Sequence, residues 1–305
     1  MGTPEFSVPV LEGLIENYNV IAVVTQPDKK VGRKGILTAP PVKECALKNN
    51  IKVFQPQKIR NEYEEIIALK PDMIVTCAYG QIIPKIILDC PKYGCINVHA
   101  SLLPKLRGGA PIHHAIIDGY SKTGITIMYM DEFMDSGDII SQMEIEIKDD
   151  YTTEILHDKL KVMGASLLLE TIPNIISNDI NRRKQNPDEV TFGYNISKED
   201  EFINFNKTTK EVYNQIRGLN SWPIGYTLLD GKRMKIYESV ISKTNKELNP
   251  GQITNIYKDG LGVKTLDGEI ILKTIQLEGK SKMTVDMFLN GVSDKESLIG
   301  KKLGE

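Results

Sequence analysis

Short apolar runs alternate with helical patterns along the first half of the chain. Four such runs are predicted to be strands: Val20–Thr25, Met73–Cys77, Cys95–Val98 and Ile125–Met130. Continuous apolar runs of this length are typical of strands buried on both faces of a parallel sheet. Segments such as Pro41–Asn49 and Asn61–Leu69 between them have helical patterns. The order predicts an α/β domain with a doubly wound, mostly parallel, Rossmann-like sheet, in which ligands bind at the carboxyl ends of the strands.

The chain opens with a turn that no predicted strand precedes. Gly2–Phe6 leads directly into a predicted helix over Val8–Glu16. In a doubly wound sheet the first strand is central. We therefore expect a first strand upstream of this turn, and hence a reading frame that starts inside the protein.

The pattern changes in the second half. The polar stretch around residues 177–189 has the composition of a linker, and five short apolar runs follow it. These runs are Thr227–Leu229, Met234–Glu238, Gly251–Ile256, Leu261–Thr265 and Glu269–Ile275. Asp-Gly pairs at residues 230, 259 and 267 are hairpin signals between them. With one helix over Lys210–Leu219, they predict a small OB-like β-barrel. We expect an α/β domain over residues 1–180, a linker over 181–200 and the barrel over 201–305.

Composition excludes several classes of protein. The 305 residues carry 38 Lys and Arg against 40 Asp and Glu, with no apolar run long enough for a membrane span. No secretory signal opens the chain, and its four cysteines form no CxxC pair. We expect a cytoplasmic monomer that binds no metal. Residues 201–305 hold 16 basic against 13 acidic residues, and residues 1–200 hold 22 against 27. A mildly basic barrel favours a polyanionic partner, although an ordinary solvated surface explains it equally well.

Candidate chemistry concentrates in Gly94–Pro111. Asn97 and His99 alternate with apolar residues, so they share one face of the predicted strand, and a loop rich in Gly and Pro follows. A lone His is often only a hydrogen-bonded core residue, but Asn97 and this loop favour a catalytic role. The loop Asp131–Asp138 holds four carboxylates without Ca²⁺-binding spacing. An Asn–His–Asp set without a Ser or Cys nucleophile suits direct attack of a bound nucleophile on a carbonyl.

These residues resemble the signature of the folate-dependent formyltransferases. The signature here reads His99-x-Ser101-Leu102-Leu103-Pro104-x-x-Arg107-Gly108-x-x-Pro111, with Asn97 before it and Asp135 in a D-x-G-D loop after it. The likeness extends over nearly the whole chain. Further segments are similar to the members that act on methionyl-tRNA: Gly2-Thr3-Pro4, Thr25-Gln26-Pro27-Asp28, Gly32-Arg33, Asn220-Ser221-Trp222-Pro223 and Gly279–Met283.

The resemblance implies transfer of the formyl group of 10-formyltetrahydrofolate to the α-amine of methionine on initiator tRNA. It implies that Asn97 and His99 hold the formyl oxygen, while Asp135 orients His99 and helps remove the proton of the amine. The donor-binding residues that it implies are Ser101, Leu102, Leu103 and Pro104. The implied tRNA contacts are Arg33, Lys34 and Lys43. We expect Trp222 to pack at the start of the barrel rather than to stack on a base.

Other acceptors and one other class of protein stay open. A formyltransferase acting on an amino sugar nucleotide keeps the same chemistry. Members that act on a purine precursor resemble only the first domain, so the barrel counts against them. A non-catalytic RNA-binding protein on this scaffold has no need of Asn97, His99 and Asp135 together.

Overall fold

Two groups of residues cluster separately in the computed structural model, which describes residues 1–32 and 35–305. The first unit comprises Met1–Pro111, Lys122–Glu146 and His157–Tyr194. The second comprises Ile112–Ser121, Ile147–Leu156 and Asn195–Glu305. Each unit is therefore assembled from separated stretches of the chain.

Eight strands and six α-helices lie before residue 177 in the described ranges of the chain. The strands are β1 (Val23–Val24), β2 (Lys29–Val31), β3 (Ile36–Thr38), β4 (Val53–Phe54), β5 (Ile74–Thr76), β6 (Cys95–His99), β7 (Lys122–Tyr129) and β8 (Ile139–Glu146). The helices are α1 (Val8–Asn17), α2 (Pro41–Lys48), α3 (Glu64–Ile67), α4 (Lys85–Leu88), α5 (Pro111–Ile117) and α6 (Thr153–Ile176).

The sheet of the first unit is parallel on one side and antiparallel on the other. Strand β1 pairs with β4, and β5 pairs with β6, in parallel. The backbone of Gly2 donates to Val24 O at 3.0 Å and forms a parallel bridge with Cys77, so the first residues connect these two pairs. The predicted α/β domain with a mostly parallel sheet is confirmed.

The hydrophobic pattern does not reveal the direction of strand β7. The prediction that the run Ile125–Met130 lies in a parallel sheet is wrong, because β7 runs antiparallel to both β6 and β8. Ile125 and Ile127 are fully buried, and α6 approaches closely: a Cβ on Gly164 would lie 3.0 Å from Val98 Cγ1. Burial of both faces produces a continuous apolar run in either strand direction.

The second unit is built around antiparallel strands. They are β9 (Tyr226–Leu229), β10 (Lys232–Ser242), β11 (Ile253–Tyr257), β12 (Gly260–Lys264), β13 (Glu269–Leu277) and β14 (Met283–Thr284). Their order is β11-β12-β13-β10-β9, with β14 on β13. Its long carboxyl-terminal stretch also carries the helices α7 (Thr209–Gly218) and α8 (Val285–Asn290), and most of α5 and the start of α6 belong to this unit too. The five predicted strands are confirmed, and the barrel-like antiparallel architecture agrees with the expectation.

Local sequence explains how this unit turns its chain. Asp230 and Gly231 have φ angles of 50° and 71°, the left-handed values that a type I′ hairpin turn requires. Thr208 and Glu211 form a reciprocal capping box at the start of α7.

None of the described helices is both long and apolar enough to cross a bilayer.

Candidate active site

Strand β6 carries His99 at its last position, where the chain leaves the sheet. The His99 side chain is 6% exposed, and its Nε2 lies 3.0 Å from Leu106 O. Because a carbonyl oxygen only accepts hydrogen bonds, Nε2 must carry a proton. This bond fixes the ring and leaves Nδ1 as the nitrogen available to other groups.

Asn97 lies two residues earlier on the same face of β6. Its Oδ1 accepts a hydrogen bond at 2.8 Å from the hydroxyl of Thr76, its partner residue on β5. The oxygen end of the amide is therefore held toward the sheet. The NH₂ end is the donor that Asn97 can offer to a ligand.

Asp135 approaches His99 from the loop that follows β7. Its Oδ2 lies 3.7 Å from His99 Nδ1 and accepts a hydrogen bond at 2.9 Å from the Gly108 amide. Asp135 has a positive φ of 49°, a left-handed conformation that is costly for a residue with a Cβ. Strain of this kind persists at functional sites where the surroundings hold it. The structure thus brings His99 and Asp135 together, with Asn97 on the same strand face as His99.

The segment Ser101–Pro104 is held to the sheet through its backbone. Ser101 is fully buried and its hydroxyl donates to Lys105 O. Leu103 is also buried, and its amide donates to Thr126 Oγ1 at 3.1 Å. The two side chains thus point inward, whereas Leu102 and Pro104 are half-buried. The segment is therefore rigid, and its half-buried members are the ones with surface to offer.

Two residues that support this segment were missed by reading the sequence. Thr126 on β7 donates to Ser101 O at 2.7 Å, and Gln142 on β8 donates to Leu103 O and to the Thr126 hydroxyl, both at 2.9 Å. Thr126 is fully buried. No sequence signal marks either residue, because each works through partners that are distant along the chain.

The residues after α6, predicted to be part of a linker, pack against the site loops. The Arg107 amide donates to Thr191 O at 2.9 Å, and the Gly193 amide donates to Arg107 O at 2.8 Å. The hydroxyl of Thr191 accepts from the Leu106 amide at 2.9 Å. This segment therefore supports the loop that holds both His99 Nε2 and the Asp135 carboxylate.

Of the predicted tRNA contacts, Lys43 is described, and Arg33 and Lys34 lie outside the described residues. Lys43 forms an ion pair with Asp28 at 2.8 Å, and Gln55 donates to the same carboxylate at 2.7 Å. The hydrogen bonds from Gln55 and Lys43 lower the pKa of Asp28. The adjoining hairpin of β2 and β3 exposes three apolar side chains, Val31, Ile36 and Leu37. This hairpin was not predicted.

Trp222 is 70% exposed, with His113 edge-on at 6.2 Å, so the prediction that it packs at the start of the barrel is wrong. Cys77 and Cys95 are buried free thiols. Burial raises the pKa of Cys77 to about 11 and that of Cys95 to about 12.

One group of potential metal ligands occurs among the described residues, on the surface at Glu5, His157 and Asp158. The ammonium of Lys161 already lies 2.6 Å from Glu5 and 2.8 Å from Asp158. The Lys161 ammonium thus neutralises these two carboxylates, and we assign no metal ion to this group.

Two family models match the sequence. The model described as formyl transferase matches residues 1–172, and formyl transferase, C-terminal domain, matches residues 195–293. The chain is 52% identical to the methionyl-tRNA formyltransferase of Bacillus subtilis (strain 168), over 95% of this chain and 93% of that protein. It is 54% identical to the protein of the same name from Bacillus cytotoxicus, over 100% and 98%.

Solved structures share the fold at lower identity. An N-formyltransferase from Helicobacter canadensis, in complex with folinic acid and dTDP-3-aminofucose, superposes with a TM-score of 0.67 at 23% identity, covering 89% of this chain and 96% of that chain. A sugar 3N-formyltransferase, solved with dTDP and 5-N-formyl-THF, superposes with a TM-score of 0.65 at 23% identity, covering 92% and 97%.

Proposed function

The chain belongs to the formyl transferase family, and we propose that it transfers the formyl group of 10-formyltetrahydrofolate to the α-amine of methionyl initiator tRNA. The observation that carries this function is identity above 50% over the whole chain to relatives named methionyl-tRNA formyltransferase. That identity spans both family domains, including the second one. The proposed setting is the cytoplasm, with the chain acting as a monomer.

The residues present fit a folate donor. The NH₂ group of Asn97 and Nδ1 of His99 are offered from the same strand face. The amide donates to a carbonyl oxygen, and Nδ1 joins it as a donor when the ring carries a second proton. Leu102 and Pro104 add a half-buried apolar edge against which the flat rings of a folate can pack. We propose that Ser101 and Leu103 shape this edge from beneath, since both are buried.

When bound, the folate supplies an activated formyl carbon on N10, which the amine of methionine attacks. The NH₂ group of Asn97 donates to the formyl oxygen as negative charge develops there. When Nδ1 of His99 also carries a proton, we propose that it donates to the same oxygen, while the neighbouring Asp135 carboxylate orients the ring. Asp135 accepts the proton that the amine loses and returns it to the leaving nitrogen. The new C–N bond forms as the bond to N10 breaks.

The tRNA contacts are proposed on the hairpin of β2 and β3 and at its base. Lys29 and Lys30 are exposed on β2, and Arg33 and Lys34 follow them in the sequence. Lys43 is held beside this hairpin by Asp28. Clustered cations of this kind suit the phosphate backbone of an acceptor stem. The basic second domain is proposed to contact the same tRNA.

The deciding experiment is formyl transfer by the purified chain, from 10-formyltetrahydrofolate to methionyl initiator tRNA. Elongator methionyl-tRNA and an amino sugar nucleotide serve as alternative acceptors. We expect formylation of the initiator tRNA alone. Transfer to the amino sugar nucleotide, with none to either tRNA, would contradict the proposed acceptor while keeping the chemistry.

A further inference from the structure

Gln185 lies in the polar segment after α6, where that segment runs beside the start of β8. The backbone of Arg183 exchanges two hydrogen bonds with Ile139, the first residue of β8, at 2.8 and 2.9 Å. The residues flanking Gln185 on both sides, 181–184 and 186–189, are exposed, whereas Gln185 is half-buried. Its side chain is therefore directed into the protein.

The side-chain amide of Gln185 joins two loops. Its Nε2 donates to Asp135 O at 2.8 Å and to Gly137 O at 2.9 Å. Its Oε1 accepts from Nε and Nη2 of Arg107 at 3.0 and 2.7 Å. Both amide hydrogens and both lone pairs of the oxygen are used. The entire hydrogen-bonding capacity of Gln185 thus links the loop after β7 to the loop after β6.

The loop after β7 needs this support. Asp135 holds a left-handed φ of 49°. Gly137 approaches the end of β7 so closely that a Cβ there would collide with Tyr129 O. Backbone in such a conformation persists only where its surroundings determine it. Gln185 donates to the carbonyl oxygens of these two residues, so it holds the loop at its left-handed residue and at its close contact with β7.

Arg107, at the other end of the link, lies in the loop that contacts both His99 and the Asp135 carboxylate. Arg107 directly precedes Gly108, whose amide donates to the Asp135 carboxylate. It follows Leu106, whose carbonyl binds His99 Nε2. One side chain therefore connects the backbone of Asp135 to the loop that fixes His99.

We propose that Gln185 is a positioning residue, which sets the separation of the Asp135 carboxylate and the His99 ring by holding these two loops together. It touches no reacting atom. Its effect on rate rests on the proposed formyl transfer, whereas its effect on the loop does not.

Hydrogen exchange tests the effect on the loop without any substrate. In Gln185→Ala we expect faster amide exchange over residues 131–138 and at Gly108, with unchanged exchange over β13. Gln252→Ala is the matched control, because Gln252 also bridges two backbone groups, Asn249 N and Gly300 O, in the second unit. Unchanged exchange over residues 131–138 in Gln185→Ala would overturn the proposal.

A double-mutant cycle tests the effect on rate. Gln185→Ala should lower kcat for formyl transfer by roughly 10- to 100-fold, since small misplacements of catalytic groups cost this much, and leave KM for the donor nearly unchanged. In an Asp135→Asn background the same substitution should cost far less, because the group it positions is already disabled. An equal loss in both backgrounds would show a role independent of Asp135 and overturn the proposal.

Gln185→Glu isolates the donor half of the amide. The carboxylate keeps the bonds from Arg107 but has no N–H for the carbonyl oxygens of Asp135 and Gly137. It should match Gln185→Ala in both assays, and wild-type behaviour would overturn the proposal. If the wild-type chain formylates no methionyl initiator tRNA, the proposed function fails, while exchange still decides whether Gln185 holds the loop.

Discussion

Asp135 Oδ2 lies 3.7 Å from His99 Nδ1, just beyond hydrogen-bond distance. The other ring nitrogen is already committed to Leu106 O, and the same carboxylate oxygen accepts from the Gly108 amide. A small approach of the loop would bring the two atoms within hydrogen-bond distance. The ring is held by Leu106 and the carboxylate by Gly108, so the separation of the two groups depends on how these two loops are held together.

Removal of the His99 ring should abolish turnover with little effect on tRNA affinity. His99→Ala deletes a group that we propose donates to the formyl oxygen, and we expect kcat to fall by about 10²- to 10⁴-fold. Its side chain is buried, so tRNA binding measured by filter retention should stay nearly constant. His157→Ala, at the surface, should keep wild-type kcat. Full formylation by His99→Ala would show that the catalytic assignment is wrong.

Neutralising Asp135 should lower kcat without disturbing the fold. Asp135→Asn keeps an oxygen for the Gly108 amide but loses the charge beside His99. We expect a loss of roughly 10²-fold or more in single-turnover formyl transfer, the range for a positioned acid–base group. The control is Asp131→Asn in the same loop, whose carboxylate accepts hydrogen bonds from Ser136 and Phe133 of that loop. Equal losses in the two variants would assign the effect to the loop instead.

Loss of the buried Thr126 hydroxyl should lower the free energy of unfolding more than loss of the Thr123 hydroxyl on the same strand. Thr126→Val removes three hydrogen bonds to Ser101, Leu103 and Gln142. Leaving their buried groups unpaired should lower the free energy of unfolding by about 1–3 kcal/mol, and looser donor binding should raise KM for the folate.

Thr123→Val is the matched control, since Thr123 Oγ1 is buried on β7 without a hydrogen-bond partner in the part of the chain that the structure describes. It should be neutral or stabilising in urea denaturation. A larger loss for Thr123→Val than for Thr126→Val would contradict this account.

The salt dependence of tRNA binding should report on Lys43. If Lys43 contacts a phosphate, Lys43→Ala lowers the slope of log affinity against log salt by about 1. Lys122→Ala is matched, because Lys122 is also paired with a carboxylate at 2.8 Å, that of Glu144. Its slope should equal that of the wild type. An unchanged slope for Lys43→Ala would mean that Lys43 serves only Asp28.

The Asp28 carboxylate should stabilise the fold at neutral pH and lose that effect in acid. Its pKa is lowered from 3.8 by Gln55 and Lys43, so the folded state favours the charged form. The stabilisation is complete above the unfolded pKa and disappears as pH falls through the lower, folded pKa. Urea denaturation from pH 7 to pH 3 should show Asp28→Asn less stable than wild type at pH 7, with a gap that narrows below about pH 4. A gap that widens in acid would refute this.

The sequence predicted the strands and the site signature because both depend on local pattern. Buried runs such as Cys95–Val98 and Asp-Gly pairs such as Asp230-Gly231 carry their own signals. The direction of β7 was not predictable in this way, since burial is insensitive to direction. Gln185 and Thr126 were missed because their importance lies in partners at least 16 residues away, such as Gln142 for Thr126.

A polar composition does not by itself show that a segment is free of contacts. The stretch around residues 177–189 has linker composition, yet Gln185 within it is half-buried and fully hydrogen-bonded. Trp222 shows the converse, a large apolar side chain that the fold leaves exposed. Neither outcome can be read from residue type, because each depends on where the chain returns in space.

The discontinuity of the second unit limits how its parts can be exchanged between proteins. The buried guanidinium of Arg217 on α7 donates to the carbonyl oxygens of Lys148 and Tyr151, and Gly218 leaves room for Ile117. A chimera that joins the carboxyl-terminal third of one relative to the front of another therefore separates α7 from the stretches that contact it. The second unit can be exchanged intact only if residues 112–121 and 147–156 are exchanged with it.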